Sequence, residues 1–387
     1  MKIGIPKEIA PHERRVAATP DTVAKMVQSG LEIYVESDAG IHAHLYNDAY
    51  QQAGARIISH PQALYETSNI ILKIQPPIVQ NGQNEIDYMN KGCIFIGLLF
   101  PFSNISLIEK LNQKNISAFA LDLLPRLART QSMDVLSSMS NIAGYKSVII
   151  AANYLNKLFP MMITAAGTIR PVKTIVLGAG VAGLQAIATA RRLGSVVFAF
   201  DTRPIVEEQV KSLGAEFVSL KTSHDAQDEK GYAKEQSADY YQHEQAVIQQ
   251  YLQDADVIIS TALVPGKRAP ILLTEEMLKI MKPGSVIVDL AAEQGGNCAL
   301  TEPGEIIVKN NITIVGLLNL PSTLPIHASQ LFSKNIFTFL NYIINSINTG
   351  FDFSDDIIKS CLVTHQGTIT HPHLQQSIQQ QGLQYAQ

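Results

Sequence analysis

Gly178-Ala179-Gly180-Val181-Ala182-Gly183 is the stretch whose reading decides the fold. It follows the apolar, β-rich run 173–177, opens a helical pattern over 182–193, and is answered by Asp201 at the end of the next β-rich run, 196–201. A bare G-x-G-x-x-G carries little weight, but in a strand–turn–helix–strand setting it is the fingerprint of a dinucleotide site. Gly178 permits the tight turn, Gly180 lets backbone N–H groups approach a pyrophosphate, and Gly183 lets the helix lie close on the strand. The helix N-terminus at Val181 and Ala182 adds partial positive charge for the anion. Asp201, followed by Thr202, is placed to bond ribose hydroxyls, and its charge repels a 2′-phosphate, so NAD(H) is expected over NADP(H). Arg203 lies close enough to receive such a phosphate, which keeps that alternative open.

Outward from this turn the chain alternates short β-rich runs with helical segments, the signature of parallel sheets covered by helices. At 387 residues, and roughly 100–200 residues per domain, two domains are expected. The fold class is α/β, with two Rossmann-like doubly wound domains separated by a cleft and linked by long helices. The first is expected over 1–137, completed by 328–387, and the second, which holds the glycine turn, over 138–327. The apolar stretch 142–163 reads as a buried interdomain helix, because Lys146, Asn153, Asn156, Lys157 and Pro160 interrupt it too often for a membrane span. Residues 361–369 read as a hairpin turning at Gln366-Gly367. The polar stretch 221–245 shows no apolar period and is expected to be a loop, either a mobile lid or a passive insertion. The Gln-rich end, 375–387, is expected to be loosely ordered.

Composition narrows the function classes. A charged fraction of 17%, an apolar fraction of 46% and a net charge of −4 suggest neither disorder nor a polyanion-binding surface, so no nucleic-acid partner is expected. Cys93, Cys298 and Cys361 are far apart and lack C-x-x-C spacing, which fits buried thiols rather than disulfides or zinc ligands. His365, His371 and His373 sit without nearby carboxylate or cysteine, so no metal site is expected. Met1-Lys2-Ile3-Gly4-Ile5-Pro6 has no signal-peptide h-region, and a cytoplasmic location is expected.

A second polar segment is Pro125-Arg126-Leu127-Ala128-Arg129-Thr130-Gln131-Ser132-Met133-Asp134-Val135-Leu136-Ser137-Ser138. It gathers a guanidinium, an amide, a carboxylate and hydroxyls at the end of the first domain. Such a group can orient a carboxamide and align a hydride donor with its acceptor, or it can be a structural salt-bridged loop; spacing leaves the two even. Arg14 and Arg15 likewise read either as a solvated pair or as an anion site.

The opening Ile5-Pro6-Lys7-Glu8 and Glu13-Arg14-Arg15-Val16-Ala17-Ala18-Thr19-Pro20 resembles that of the alanine dehydrogenase and nicotinamide nucleotide transhydrogenase family. The resemblance runs through Ser140-Asn141-Ile142-Ala143-Gly144-Tyr145, Gly231-Tyr232-Ala233-Lys234-Glu235, Thr261-Ala262-Leu263-Val264-Pro265-Gly266 and Asp289-Leu290-Ala291-Ala292-Glu293-Gln294-Gly295-Gly296-Asn297, covering nearly the whole chain. The Arg126 to Ser138 segment is similar to the nicotinamide-site loop of the NAD(H)-binding component of proton-translocating transhydrogenases. On that resemblance Arg126, Gln131, Asp134 and Ser137 carry over as nicotinamide-site residues. Ala262 and Leu263 carry over as cofactor contacts, and Tyr232 as the mobile-loop tyrosine that closes over bound nucleotide. The resemblance further implies NADP(H) on a partner subunit, membrane subunits that conduct protons, a homodimer, and attachment to the inner (plasma) membrane only through the complex. The alanine dehydrogenase alternative needs an arginine, a lysine and a proton-transferring histidine. Arg15 and Lys73 take the first two places, but Leu98 and Leu99 stand where the histidine is expected, which removes the acid/base group. Glu293, where the dehydrogenases have aspartate, is a milder departure. A catalytically idle NAD(H)-binding module is the third reading.

Overall fold

The computed structural model describes residues 1–80, 82–219, 238–264 and 267–384. The chain divides into two compact units, Met1–Met139 with Ser322–Gln387, and Ser140–Pro321, the division falling within the helix Val135–Tyr154. Each is built on a largely parallel sheet, as the alternating pattern predicts.

In the first unit eight strands run in the order Thr368–Ile369, Leu362–His365, Ser117–Ala120, Ile94–Gly97, Ile70–Leu72, Lys2–Ile5, Glu32–Glu36, Arg56–Ile58. The chain starts in Lys2–Ile5, moves outward through two strands, then returns to the other side of its starting strand at Ile70–Leu72, a doubly wound order. The inner strands Ile70–Leu72, Ile94–Gly97 and Ser117–Ala120 are buried on both faces, so they show no alternation of buried and exposed residues. The C-terminal hairpin turns at Gln366-Gly367, both with positive φ, and adds two antiparallel strands to Ser117–Ala120. The 25-residue helix Pro325–Thr349 buries Phe332, Ile336, Phe339, Leu340 and Ile343, which share one face at helical spacing. Among the described residues no helix is long and apolar enough to cross a membrane.

The second unit has the strand order Glu216–Ser219, Val196–Asp201, Lys173–Leu177, Val257–Ser260, Val286–Asp289, Ile312–Val315, Ile306–Lys309. The first six are parallel and form two mononucleotide-binding halves meeting between Lys173–Leu177 and Val257–Ser260. The antiparallel edge strand was not expected. It is joined to its neighbour through Asn310 and Asn311, at φ 52° and 58°, the conformation of a two-residue I′ hairpin turn, which asparagine tolerates.

Three expectations need correction. The apolar helix ends at Tyr154 rather than near 163, because Leu155 and Phe159 turn into the core and Pro160 cannot continue a helix. Met162–Thr164 and Gly167–Ile169 instead form an antiparallel hairpin whose strand residues are all exposed. The Gln-rich tail is helical over Pro372–Gln384, docked by buried Leu374 and by Ile378 one turn on, while residues 385–387 lie outside the described residues. Of the expected loop 221–245, residues 221–237 lie outside the described residues, while from Ala238 the chain is helical to Leu252. Its buried face is Glu244, Ile248 and Leu252, an i, i+4, i+8 series whose first member is charged, so the apolar period is concealed.

Burial, and then the charge of Asp201, push the Glu244 carboxyl up to about 7. The folded chain therefore keeps a proton that the unfolded chain releases near 4.5, so stability falls as pH rises between these values and stays reduced above them. The difference corresponds to on the order of 3 kcal/mol. Glu244→Gln, which cannot ionise, should melt several degrees above the parent at pH 8 and differ much less at pH 5; thermal melts at the two pH values check this.

Candidate functional site

In the second unit the three turn glycines meet three different constraints. Gly178 has φ 95°, where an L side chain is strained. A Cβ on Gly183 would lie 1.8 Å from the Gly178 carbonyl oxygen, so the helix Val181–Arg192 can sit where it does only with hydrogen at that position. Gly180, in ordinary extended conformation, faces open space: the nearest atom to an added Cβ is Arg203 Nη2 at 3.9 Å. Among the described residues no side chain caps this helix, so its first N–H groups, at Val181 and Ala182, border that space and suit a pyrophosphate.

Asp201, last residue of its strand and 7% exposed, lies beside the turn. Its Oδ2 accepts the Ala179 N–H at 2.7 Å, and its Oδ1 accepts the Arg203 N–H at 2.9 Å. The Arg203 guanidinium grips both oxygens, Nε to Oδ1 at 2.9 Å and Nη2 to Oδ2 at 2.8 Å. The hydrogen bond to Asp201 holds the guanidinium above its ordinary range. The two residues weighed as selectors of ribose and of 2′-phosphate thus hold each other in a bidentate pair. Thr202 stands between them in the chain.

Opposite the turn, Thr261 Oγ1 donates to the Gly178 carbonyl at 3.0 Å. Ala262 is held at both main-chain groups by Asn297: its N–H donates to Oδ1 at 3.0 Å and its carbonyl accepts from Nδ2 at 2.9 Å. Leu263, next along, is exposed. Asn297 is itself set by Asp289, 1% exposed, whose carboxylate accepts from Ser260 Oγ, Ala291 N, Asn297 N, Cys298 N and Thr301 Oγ1 at 2.7–3.1 Å. Asp289 and Asn297 bound one of the segments that carry the family resemblance, but nothing within it marks them as organisers of this edge. A second signal is the Asp at the end of a β-rich run, the place Asp201 also takes. Glu293 is exposed and accepts the Asn319 N–H at 2.7 Å. Tyr232 lies outside the described residues.

In the first unit, Asp134 precedes the helix Val135–Tyr154 and caps it, Oδ1 accepting the Ser137 N–H at 2.9 Å and Oδ2 the Ser137 hydroxyl at 2.5 Å. These two candidates are brought together. Arg126 and Gln131 are exposed on the preceding segment, whose shape is fixed by buried Thr130. Thr130 Oγ1 bonds the Pro125 carbonyl at 2.6 Å and the Leu127 N–H at 3.0 Å, and Asn335 Nδ2 donates to the Ser132 carbonyl at 2.8 Å. Neither Thr130 nor Asn335 stands out in the sequence.

Arg15 and Lys73 are both buried and both ion-paired within the chain. Arg15 meets Glu13 through Nε at 2.7 Å and Nη2 at 2.5 Å. Lys73, with no exposed surface, meets Glu8 at 2.9 Å and Glu85 at 3.4 Å. Burial alone would push the Lys73 ammonium down, but the attraction of the two carboxylates more than reverses this and holds it above its ordinary value. Leu98 and Leu99 leave the strand Ile94–Gly97 buried, and Phe100 follows at φ 45°. None of the three can exchange a proton.

Two family models match consecutive parts of the chain: "Alanine dehydrogenase/PNT, N-terminal domain" over residues 4–143 and "Alanine dehydrogenase/PNT, C-terminal domain" over residues 147–372. A curated relative from Rhodospirillum rubrum, named as the first part of an NAD(P) transhydrogenase subunit alpha, is 44% identical over 379 residues, covering 97% of this chain and 99% of the relative. The solved structure of transhydrogenase from Sinorhizobium meliloti superposes with a TM-score of 0.84 at 39% identity, covering 96% of this chain and 100% of that one. An L-alanine dehydrogenase structure superposes with a TM-score of 0.82 at 26% identity, covering 98% and 99%. With the glycine turn, the two doubly wound sheets and these matches together, the chain belongs to the alanine dehydrogenase/PNT family.

Proposed function

We propose that this chain is the NAD(H)-binding component of a proton-translocating transhydrogenase, passing hydride between NAD(H) held at the Gly178–Gly183 turn and NADP(H) held on a partner subunit. The open space over Gly180, bordered by uncapped helix N–H groups, supports dinucleotide binding, and the transhydrogenase relatives support the assignment within the family. Hydride passes directly between two nicotinamides, so the protein must align them and exclude water but need not supply an acid or base. Arg126 and Gln131 serve as donors and acceptor for the carboxamide, and the Asp134–Ser137 pair fixes the segment that carries them. Membrane subunits conduct the proton, and the chain works as a homodimer at the inner membrane surface through that complex.

The observation that carries this reading over alanine dehydrogenation is the aliphatic and aromatic run Leu98-Leu99-Phe100 beyond the strand Ile94–Gly97. Oxidation of an amino acid through an imine needs proton transfers, which these side chains cannot perform. A substrate carboxylate would also have to compete with glutamates already seated on Arg15 and Lys73.

The isolated chain should bind NADH and leave L-alanine unoxidised, and should transfer hydride to an NADP⁺ analogue only when mixed with an NADP(H)-binding partner. Oxidation of L-alanine by the chain alone would sink the proposal. Gly180→Val places its side chain in the open space without straining the backbone, so NADH affinity should fall at least a hundredfold with little change in melting temperature; calorimetric titration and a thermal melt separate the two. Arg126→Ala should slow hydride transfer about a hundredfold by loosening nicotinamide alignment, while the Kd for NADH changes much less. Single-turnover kinetics on the mixed complex measure the rate.

A further inference from the structure

The first sheet has its own crevice at the edge where nucleotide-binding sheets bind their ligands. In open doubly wound sheets, ligands lie outside the carboxyl ends of the strands where the winding reverses. A cavity of about 380 Å³ occupies that place here, lined by residues following Lys2–Ile5, ending Glu32–Glu36, following Arg56–Ile58 and following Ile70–Leu72. Its volume is at the small end of the range for small-molecule sites. Glu36 holds the position in this sheet that Asp201 holds in the other, the last residue of the second strand.

This crevice does not fit a dinucleotide. After its first strand come Pro6-Lys7-Glu8 instead of a glycine turn, and the next helix begins only at Pro20. What it offers is an underused carboxylate. Glu36 is 8% exposed, and Oε2 accepts the Lys7 backbone N–H at 2.8 Å. Among the described residues it has no ion pair, and no hydrogen bond is made to Oε1. Glu85, the other carboxylate on the wall, differs: it is satisfied by the Tyr65 hydroxyl at 2.6 Å, the Ile78 N–H at 2.8 Å and Lys73 at 3.4 Å. Burial pushes the Glu36 carboxyl up and the Glu85 charge adds to this, while the Lys7 backbone bond and the charges of Lys7 and Lys73 oppose it without reversing it. Tyr65 and Tyr88, with ring centroids 6.3 Å apart, and Pro61 supply aromatic and apolar wall.

We propose that this cavity binds a primary ammonium group on a short carbon stem, with the Glu36 carboxylate as its counter-ion. The ammonium gives Glu36 charge-assisted hydrogen bonds that the chain does not supply. A divalent metal fits poorly, since it wants several oxygen ligands and no metal-holding group occurs among the described residues. Lys7, on the same wall, suits a carboxylate at the far end of the stem, so the ligand is either a simple amine or an ω-amino acid.

The test uses the full chain and two probes of equal stem, n-butylammonium and 4-aminobutyrate, followed by saturation-transfer NMR. Both should bind in the millimolar range or tighter. Glu36→Gln should weaken them at least tenfold while leaving NADH affinity unchanged. Gln62→Trp, an exposed wall position filled from outside, should do the same and serves if Glu36→Gln does not fold. If 4-aminobutyrate binds more tightly and Lys7→Met erases its advantage, the ligand is an amino acid; equal binding of the two identifies a simple amine. The proposal is overturned if neither probe shows transfer at tens of millimolar, or if transfer persists undiminished in the folded variants.

Discussion

The Gly178 carbonyl oxygen leaves room at residue 183 for a hydrogen and nothing larger, and the nucleotide edge of the second unit is arranged around that contact. Because the helix Val181–Arg192 starts so close to its strand, its first N–H groups border the open space beside the sheet edge. The same oxygen accepts from Thr261, which ties the adjoining crossover to the turn, while Asp201 reaches back to the N–H of Ala179. Asp289 then does for the far side of the edge what the glycines do for the near side. Five donors converge on one buried carboxylate and fix the chain from Ala291 to Thr301. A desolvated carboxylate with that many donors is stable in place, and the main chain around Ala262 inherits its rigidity.

The two sheets share a winding order but spend the acidic residue that ends the second strand differently. Asp201 is paired with Arg203, so a ribose bound there would share a carboxylate that already has a cation. Glu36 faces a cavity with one backbone donor. Likeness of topology thus produces a glycine-turn edge in one unit and an acidic, aromatic-walled crevice in the other. The difference comes from the residues just past the first strand, a glycine turn in one sheet and Pro6-Lys7-Glu8 in the other.

Sequence showed whatever depended on local pattern. The doubly buried strands, the glycine turn with its aspartate and the Gln366-Gly367 hairpin all announce themselves within a few residues. Features set by distant partners did not. The hairpin Met162–Ile169 exposes every strand residue, so it has no buried face to imprint alternation. The helix from Ala238 hides its period behind a buried glutamate, and the Gln-rich final helix docks, among its described side chains, through Leu374 and Ile378. In the candidate site, Asp134 and Ser137 were visible as a cluster, but Thr130 and Asn335, which hold the segment, act through main-chain carbonyls and resemble ordinary loop and helix residues. That Lys73 meets Glu8 and Glu85, 65 and 12 positions away, followed from no spacing rule.

The strand Leu362–His365 completes the first sheet by pairing with Ser117–Ala120, from which it is separated by the whole second unit. During synthesis the chain between them emerges as one continuous block and can fold while Ser117–Ala120 waits as an open edge. An open, apolar parallel edge is a template for pairing with another chain. The long sequence separation makes its closure slow and late. Residues 362–365 must emerge before that edge is covered, so a chain truncated ahead of them would keep its glycine turn and yet be prone to aggregate through its first unit.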